Sequence, residues 1–189
     1  MPSARFASPL LLLLFPAVAA PPPPEDPLPA ARAAVASFQQ KLQAELLAGL
    51  KSAGPPAAIE VCRTKAPEIA AATSHETGFR VGRTAAKLRN PANAPDGWER
   101  AALEELGARL AKGEDPASLE TSEVVERDGK KVFRYARAIR TAEPCLSCHG
   151  ATVSPEVAGR LRELYPKDEA TGFAVGSLRG IFTVTKPLS

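Results

Sequence analysis

Methionine, histidine and cysteine are the scarce residues of this chain. Its 189 residues hold one Met, two His and three Cys. The single Met is Met1, so no methionine thioether is available as an internal metal ligand. Structural zinc needs four ligands, usually two Cys pairs. Beyond Cys145, Cys148 and His149 only Cys62 and His75 remain, and they form no second pair. A large charge of either sign is also missing. The formal net charge is +3, and loss of Arg5 with residues 1–19 would leave +2, too balanced for a nucleic-acid partner. No apolar run reaches the roughly 20 residues of a membrane-spanning helix, and no internal repeat is visible.

Against that scarcity, Cys145-Leu146-Ser147-Cys148-His149 concentrates two of the three cysteines and one of the two histidines in five residues. C-x-x-C-H is the spacing of covalent haem attachment in c-type cytochromes. Each thiol adds across one vinyl group, and the following imidazole lies under the iron as the proximal ligand. A thioredoxin-like dithiol would sit at a strand-to-helix junction, whereas the residues before Cys145 read as a strand entering a loop with Pro144. The expected cofactor is one covalent haem c.

Such attachment takes place outside the cytoplasm, and residues 1–19 have the makings of a secretory signal. Arg5 supplies a positive start, Leu10 to Leu14 an apolar run, and Ala17-Val18-Ala19 a cleavage site. The expected organisation is a signal peptide over 1–19, a Pro-rich linker over 20–30 and one haem domain over 31–189. The expected mature protein is periplasmic, without stable membrane insertion. If haem consumes Cys145 and Cys148, Cys62 is an odd cysteine in an oxidising compartment and needs an explanation.

Hydrophobic periodicity predicts a helix over 30–50, with Val35, Phe38, Leu42 and Leu46 on one face. A break follows at Gly54-Pro55-Pro56, then a second helix over about 57–73 that Pro67 should kink or restart. Ile59, Cys62, Ala66 and Ile69 share a face of that helix. A short strand is expected over 79–84, a loop over 90–97 and a helix over 98–112. Asp128-Gly129 between two runs rich in Val, Phe and Tyr predicts a hairpin of 120–127 and 130–140. Ser154 should cap a helix over 155–164, and 178–187 a final strand. Helices first, then hairpin, helix and strand, predict an α+β domain with an antiparallel sheet.

An iron held by His149 has a second axial position, commonly filled by Met or His. With Met excluded, Cys62 and His75 are the leading candidates, with a lysine or an open position behind them. His75 lies in a polar stretch ending at Gly78 and reads as an exposed loop histidine. Cys62, on an apolar face, is equally compatible with a small core residue.

Four segments taken together are similar to a known family. They are Ala58-Ile59-Glu60-Val61-Cys62 with Ala66-Pro67-Glu68-Ile69-Ala70; Val81-Gly82-Arg83-Thr84 with Lys87 to Pro95 and Trp98-Glu99; Phe133-Arg134-Tyr135 with Cys145 to Gly150; and Tyr165-Pro166-Lys167-Asp168 with Ala170 to Phe173 and Arg179-Gly180. In that order they resemble the Tll0287-like haem domain family over nearly all of residues 31–187. The resemblance implies a PAS-like antiparallel sheet with flanking helices, a haem c, His149 as one axial ligand and Cys62 as the other. Ala85, Ser177 and Phe173 depart from the residues common in that family at those places. Within this resemblance Arg83, Arg89 and Arg179 become candidates for the haem propionates, since guanidinium forks match carboxylates. Asn90 and Asn93 read as turn braces.

Two functions follow as expectations. One is a haem sensor of redox state or a diatomic ligand; thiolate opposite His favours ferric iron, and reduction weakens the bond to sulfur. No kinase, cyclase or DNA-binding module is legible, so the signal would pass to a separate partner. The alternative is a low-potential electron-transfer cytochrome with a redox partner protein. Peroxidase-type catalysis needs an open iron and a distal acid or base, which Cys62 ligation would preclude, so the chain is not expected to be an enzyme.

Overall fold

The computed structural model describes residues 26–188; the expected signal peptide and most of the Pro-rich linker lie outside them. Helix α1 (Leu28–Thr77) is two helices joined at Ala53 and Gly54, where the backbone leaves helical geometry. Gly54 has φ 72° and ψ −166°, a conformation that favours a residue without Cβ. The two halves then run antiparallel. Lys41 Nζ meets Glu76 Oε2 at 2.6 Å, and Gly49 lies so close to Ala58 and Val61 that a Cβ would stand 3.1 Å from Val61 Cγ2. The expected break is therefore present, as a helical hairpin.

Three boundaries differ from expectation. Leu28, Pro29 and Ala30 belong to the first turn of α1 rather than to the linker, because proline is tolerated where the backbone N–H has no helical partner anyway. Pro67 does not interrupt the second half, whose only non-helical residues are Ala53 and Gly54. Pro67 is exposed, so the carbonyl its ring leaves unpaired can be hydrated. The second half also continues past Thr73 to Thr77, and stops where Gly78 (φ 68°) donates its N–H to Ser74 O. His75 is thus in the last helical turn, not in a loop, and is exposed.

The sheet is antiparallel with strand order β1-β4-β3-β2: β1 (Arg80–Thr84), β2 (Glu120–Arg127), β3 (Lys130–Arg140) and β4 (Leu178–Pro187). Asp128 and Gly129, both at positive φ, form the tight β2–β3 turn. The pleat sorts side chains between two layers. Phe133, Tyr135, Phe182 and Val184 pack on the α1 hairpin through Val35, Phe38, Leu42 and Ala66, with Phe38 and Phe182 edge to face at 5.7 Å. Ala136 and Ile181 face the other way, onto Leu103 and Leu106 of α2 (Gly97–Ala111). Asp96 and Glu99 close a reciprocal cap at the start of α2. The molecule is α+β, a four-stranded antiparallel sheet between helical layers.

A third cluster sits apart from both faces. Ile59 of α1 packs against Val157, Leu161 and Tyr165, with Cys148 at its edge. Val157 and Leu161 belong to α4 (Pro155–Leu164), capped by Ser154 Oγ, which accepts from Val157 N–H. This cluster fastens the second half of α1 to the cysteine motif. No helix among the described residues is long and apolar enough to cross a membrane.

Candidate haem site

Strand β3 ends at Arg140, and the chain is at once pinned beside β4: Thr141 N–H donates to Ser177 O at 2.9 Å, and Gly176 N–H to Thr141 O at 2.8 Å. A 3-10 turn over Glu143–Cys145 leads into α3 (Leu146–His149). Cys145, Cys148 and His149 therefore occupy consecutive turns of one short helical segment. All three cysteines are free thiols and partly buried. Gly150 ends the segment where a Cβ would stand 2.7 Å from Leu146 O, so only glycine fits there without backbone movement.

The segment over 168–173 braces this turn from one side. Phe173 N–H donates to His149 O and Gly172 N–H to Gly150 O, each at 2.9 Å. His149 Nδ1 is 2.7 Å from Ala170 O. A carbonyl only accepts, so Nδ1 carries the hydrogen, and Nε2 is left as the lone-pair nitrogen. The 3.3 Å approach of Arg179 Nε to the same Nδ1 is then a contact between two N–H groups and not a hydrogen bond. Burial first, then the charges of Arg179 and Arg89, hold the imidazole pKa down to about 3, against the opposing pull of the Ala170 bond. The ring is neutral at any ordinary pH, the form that ligates metals.

Arg89 ties the brace to the motif. It donates through Nη2 to Cys148 O at 2.5 Å and to Ala170 O at 3.2 Å, and pairs with Asp168 at 3.1 Å. Asp168 in turn accepts from Ala170 N–H at 2.8 Å. Arg179, on β4, stacks on Phe173 at 5.1 Å, and Phe173 meets the His149 ring edge to face at 6.2 Å. Burial first, then the charges of Arg89 and Arg83, lower the Arg179 guanidinium to about 10. Among the described residues neither Arg83 nor Arg179 has an ion-pair partner. Three guanidinium groups thus lie near one another, and the carboxylate of Asp168 pairs with one of them, Arg89.

Cys62 lies on the same side as the motif. Burial pushes the Cys148 thiol up; a charge on Cys62 adds to the rise, opposed by Ser147 and Arg89. Tyr165 is raised by burial first and by Cys62 next. About 13 residues of helix, roughly 20 Å at 1.5 Å per residue, separate Cys62 from exposed His75. Of the two sequence candidates for the second axial position, the fold brings only Cys62 to the motif. The turn-bracing role of Asn90 is present, its Oδ1 accepting from Ala92 N–H at 3.0 Å. In the sequence Asp168 and Tyr165 stand only among the residues that carry the family resemblance, and neither lies at a spacing from the motif that announces a role.

These residues fit a haem with two propionates. Paired thiols and a ring nitrogen with a free lone pair share one short helical segment, and the cationic cluster has more positive charge than the protein neutralises. A cavity of about 510 Å³ lies elsewhere, at the bend of α1 beside Gly49, Pro56 and Glu60.

The sequence profile of the Tll0287-like family matches residues 26–187. No curated protein matches the sequence. Among solved structures, the fold is similar to the crystal structure of the cyanobacterial heme-protein Tll0287, with a TM-score of 0.63 and 25% identity, covering 86% of this chain and 95% of that one. With a match across most of its length, four ordered motifs and this antiparallel sheet between helical layers, the chain belongs to the Tll0287-like family.

Proposed function

We propose that this protein is an exported mono-haem c-type protein that senses redox state or a small diatomic ligand. Cys145 and Cys148 would hold the haem by thioethers, with His149 Nε2 and Cys62 Sγ as axial ligands. The observation that carries the reading is the His149 Nδ1–H to Ala170 O bond, which points the free nitrogen away from its brace. The solved relative, described as a heme-protein, supports the same cofactor. When bound, the haem supplies an iron that changes oxidation state and exchanges an axial ligand.

The protein's part is to set the terms of that exchange. The Ala170 bond fixes the ring plane and strengthens His149 as a donor. Arg83 and Arg179 offer uncommitted cations to the propionates, and Arg89, engaged with Asp168 and two carbonyls, adds its charge. Cys62 supplies an anionic sulfur, which favours the ferric state. It is carried by the second half of α1, an element that ends at the bend at Gly54. Release of Cys62 would remove one tie between that half-helix and the motif while the Ile59 cluster remains, a local change that a separate partner could read.

Periplasmic location follows from the chemistry of attachment and from residues 1–19. Reducing the haem-loaded protein under CO separates the two functions. The sensor reading expects Cys62 to leave and CO to bind at stoichiometry one. Refusal of CO, combined with rapid electron exchange with a second cytochrome, would establish the electron-carrier alternative instead.

A further inference from the structure

Another cavity, of about 220 Å³, lies between α2 and the start of β4. Leu103, Phe173 and Leu178 give it apolar walls, Lys87 and Arg179 bring it two cations, and Glu104 is the acid among its lining residues. The two cations share one ring. Lys87 Nζ is 5.2 Å and Arg179 Cζ 5.1 Å from the centre of Phe173. Among the described residues neither is paired with a carboxylate, Glu104 included. Neutral carbonyls hold them in place: Lys87 Nζ donates to Thr171 O at 2.5 Å, and Arg179 Nη1 to Lys87 O at 3.4 Å. The negative face of the ring offsets part of the repulsion between two such cations, and an anion between them would offset the rest.

This cavity is distinct from the place expected for the haem. Its lining contains none of Cys62, Cys148 and His149. The cysteine motif meets α1 and α4 around Ile59, whereas Leu103 packs with Ala136 and Ile181 on the α2 face of the sheet. Two side chains connect the cavity to the site. Arg179 Nε stands 3.3 Å from His149 Nδ1, the nitrogen that does not serve the iron. The Phe173 ring meets the His149 ring edge to face at 6.2 Å. A charge placed in the cavity is therefore felt at the proximal imidazole, and it competes with the propionates for Arg179.

We propose that this cavity binds a small organic carboxylate, with its apolar body against Leu103, Phe173 and Leu178 and its carboxylate between Lys87 and Arg179, and that occupancy lowers the reduction potential of the haem. The volume is below the roughly 300–1,000 Å³ of sites for drug-sized molecules, which restricts the ligand to a small acid. Apolar walls favour a hydrocarbon body over an inorganic anion. Glu104 disfavours a second negative charge, so a monocarboxylate fits better than a dicarboxylate. Binding stands on the cavity alone, whereas the effect on potential rests on the haem reading above. The coupling is reciprocal: an anion that lowers the potential binds the ferric form more tightly than the ferrous form.

The experiment is calorimetry of benzoate, and of its neutral counterpart benzamide, on the ferric haem-loaded protein and on its Lys87→Gln and Glu104→Gln variants. Lys87 and Glu104 are both exposed, so neither substitution disturbs the core. Benzoate should bind once per chain, about fivefold more weakly in Lys87→Gln and about threefold more tightly in Glu104→Gln, while benzamide stays within about twofold throughout. Saturating benzoate should lower the midpoint potential by about 28 mV, the equivalent of about threefold tighter binding to ferric than to ferrous protein at about 59 mV per tenfold. Three results would overturn the site: no benzoate binding to the haem-loaded protein, an affinity that neither variant changes, or binding only to the haem-free Cys145→Ser/Cys148→Ser chain. The last would mean that the propionates fill the cavity. Binding with an unchanged potential would overturn the coupling. The haem reading fails separately, if the chain takes up no haem, and calorimetry on that chain would still read the cavity.

Discussion

The double substitution Cys145→Ser/Cys148→Ser is expected to abolish haem that survives denaturation. On the proposed attachment Cys145 and Cys148 each form a thioether, so haem should remain with the unmodified chain through detergent and acid-solvent extraction. A serine hydroxyl cannot add across a vinyl group under the same conditions. The effect should be complete, from one haem per chain to none after denaturation. Each single variant retains one thioether and should keep a haem that is spectrally altered but still attached. The folded domain should persist in the double variant. Cys145 and Cys148 are only partly buried, and the three apolar clusters are built mainly from other residues. Covalent haem remaining on the double variant would contradict attachment at this motif.

The second large effect is expected at Arg89. Its side chain is 10% exposed and that of Asp168 9%. Arg89→Met keeps the apolar length of the side chain but leaves Asp168 as a buried carboxylate without its cation, and removes the donor from Cys148 O and Ala170 O. Breaking a buried pair from one side costs about 3–5 kcal/mol. The midpoint of urea unfolding should fall accordingly, and much further than for Arg32→Met, which leaves Glu120 still hydrogen-bonded by Tyr135. Adding Asp168→Leu should recover part of the loss, because the stranded charge goes with it. A cost under about 1 kcal/mol for Arg89→Met would mean that water reaches Asp168 and that the brace is weaker than its distances imply.

Much of this architecture is legible in local sequence because local physics decides it. Asp128-Gly129 specifies the β2–β3 turn through two residues that accept positive φ. Ser154 and Pro155 specify the start of α4, and Gly54 the bend of α1. What local patterns cannot carry is how these pieces meet. That the halves of α1 lie antiparallel depends on close approach at Gly49 and on the Lys41–Glu76 pair, 35 residues apart. The place of β4 between β1 and β3 depends on core packing around Phe182 and Ile181. Pro67 misleads because a proline on a wetted helix face costs little in carbonyl pairing. His75 misleads because the helix runs on to a stop at Gly78.

The site divides in the same way. Cys145, Cys148 and His149 are adjacent in sequence, so their chemistry is visible before folding. Elimination of Met1 leaves Cys62 and His75 as the leading candidates, and the family resemblance implies Cys62. Its approach to the motif requires the Ile59–Tyr165–Cys148 cluster. Arg89 and Asp168 are 79 residues apart, and nothing in either segment announces the other. Arg179 and Arg83 become a pair of uncommitted cations only once β4 is placed beside β1.

EPR of the ferric, haem-loaded protein tests His149/Cys62 ligation. The spectrum should show a low-spin signal with the narrow g-spread of thiolate ligation, lost in Cys62→Ala. A wide g-spread of two nitrogen ligands that survives Cys62→Ala, or a high-spin signal in the unmodified protein, would contradict it.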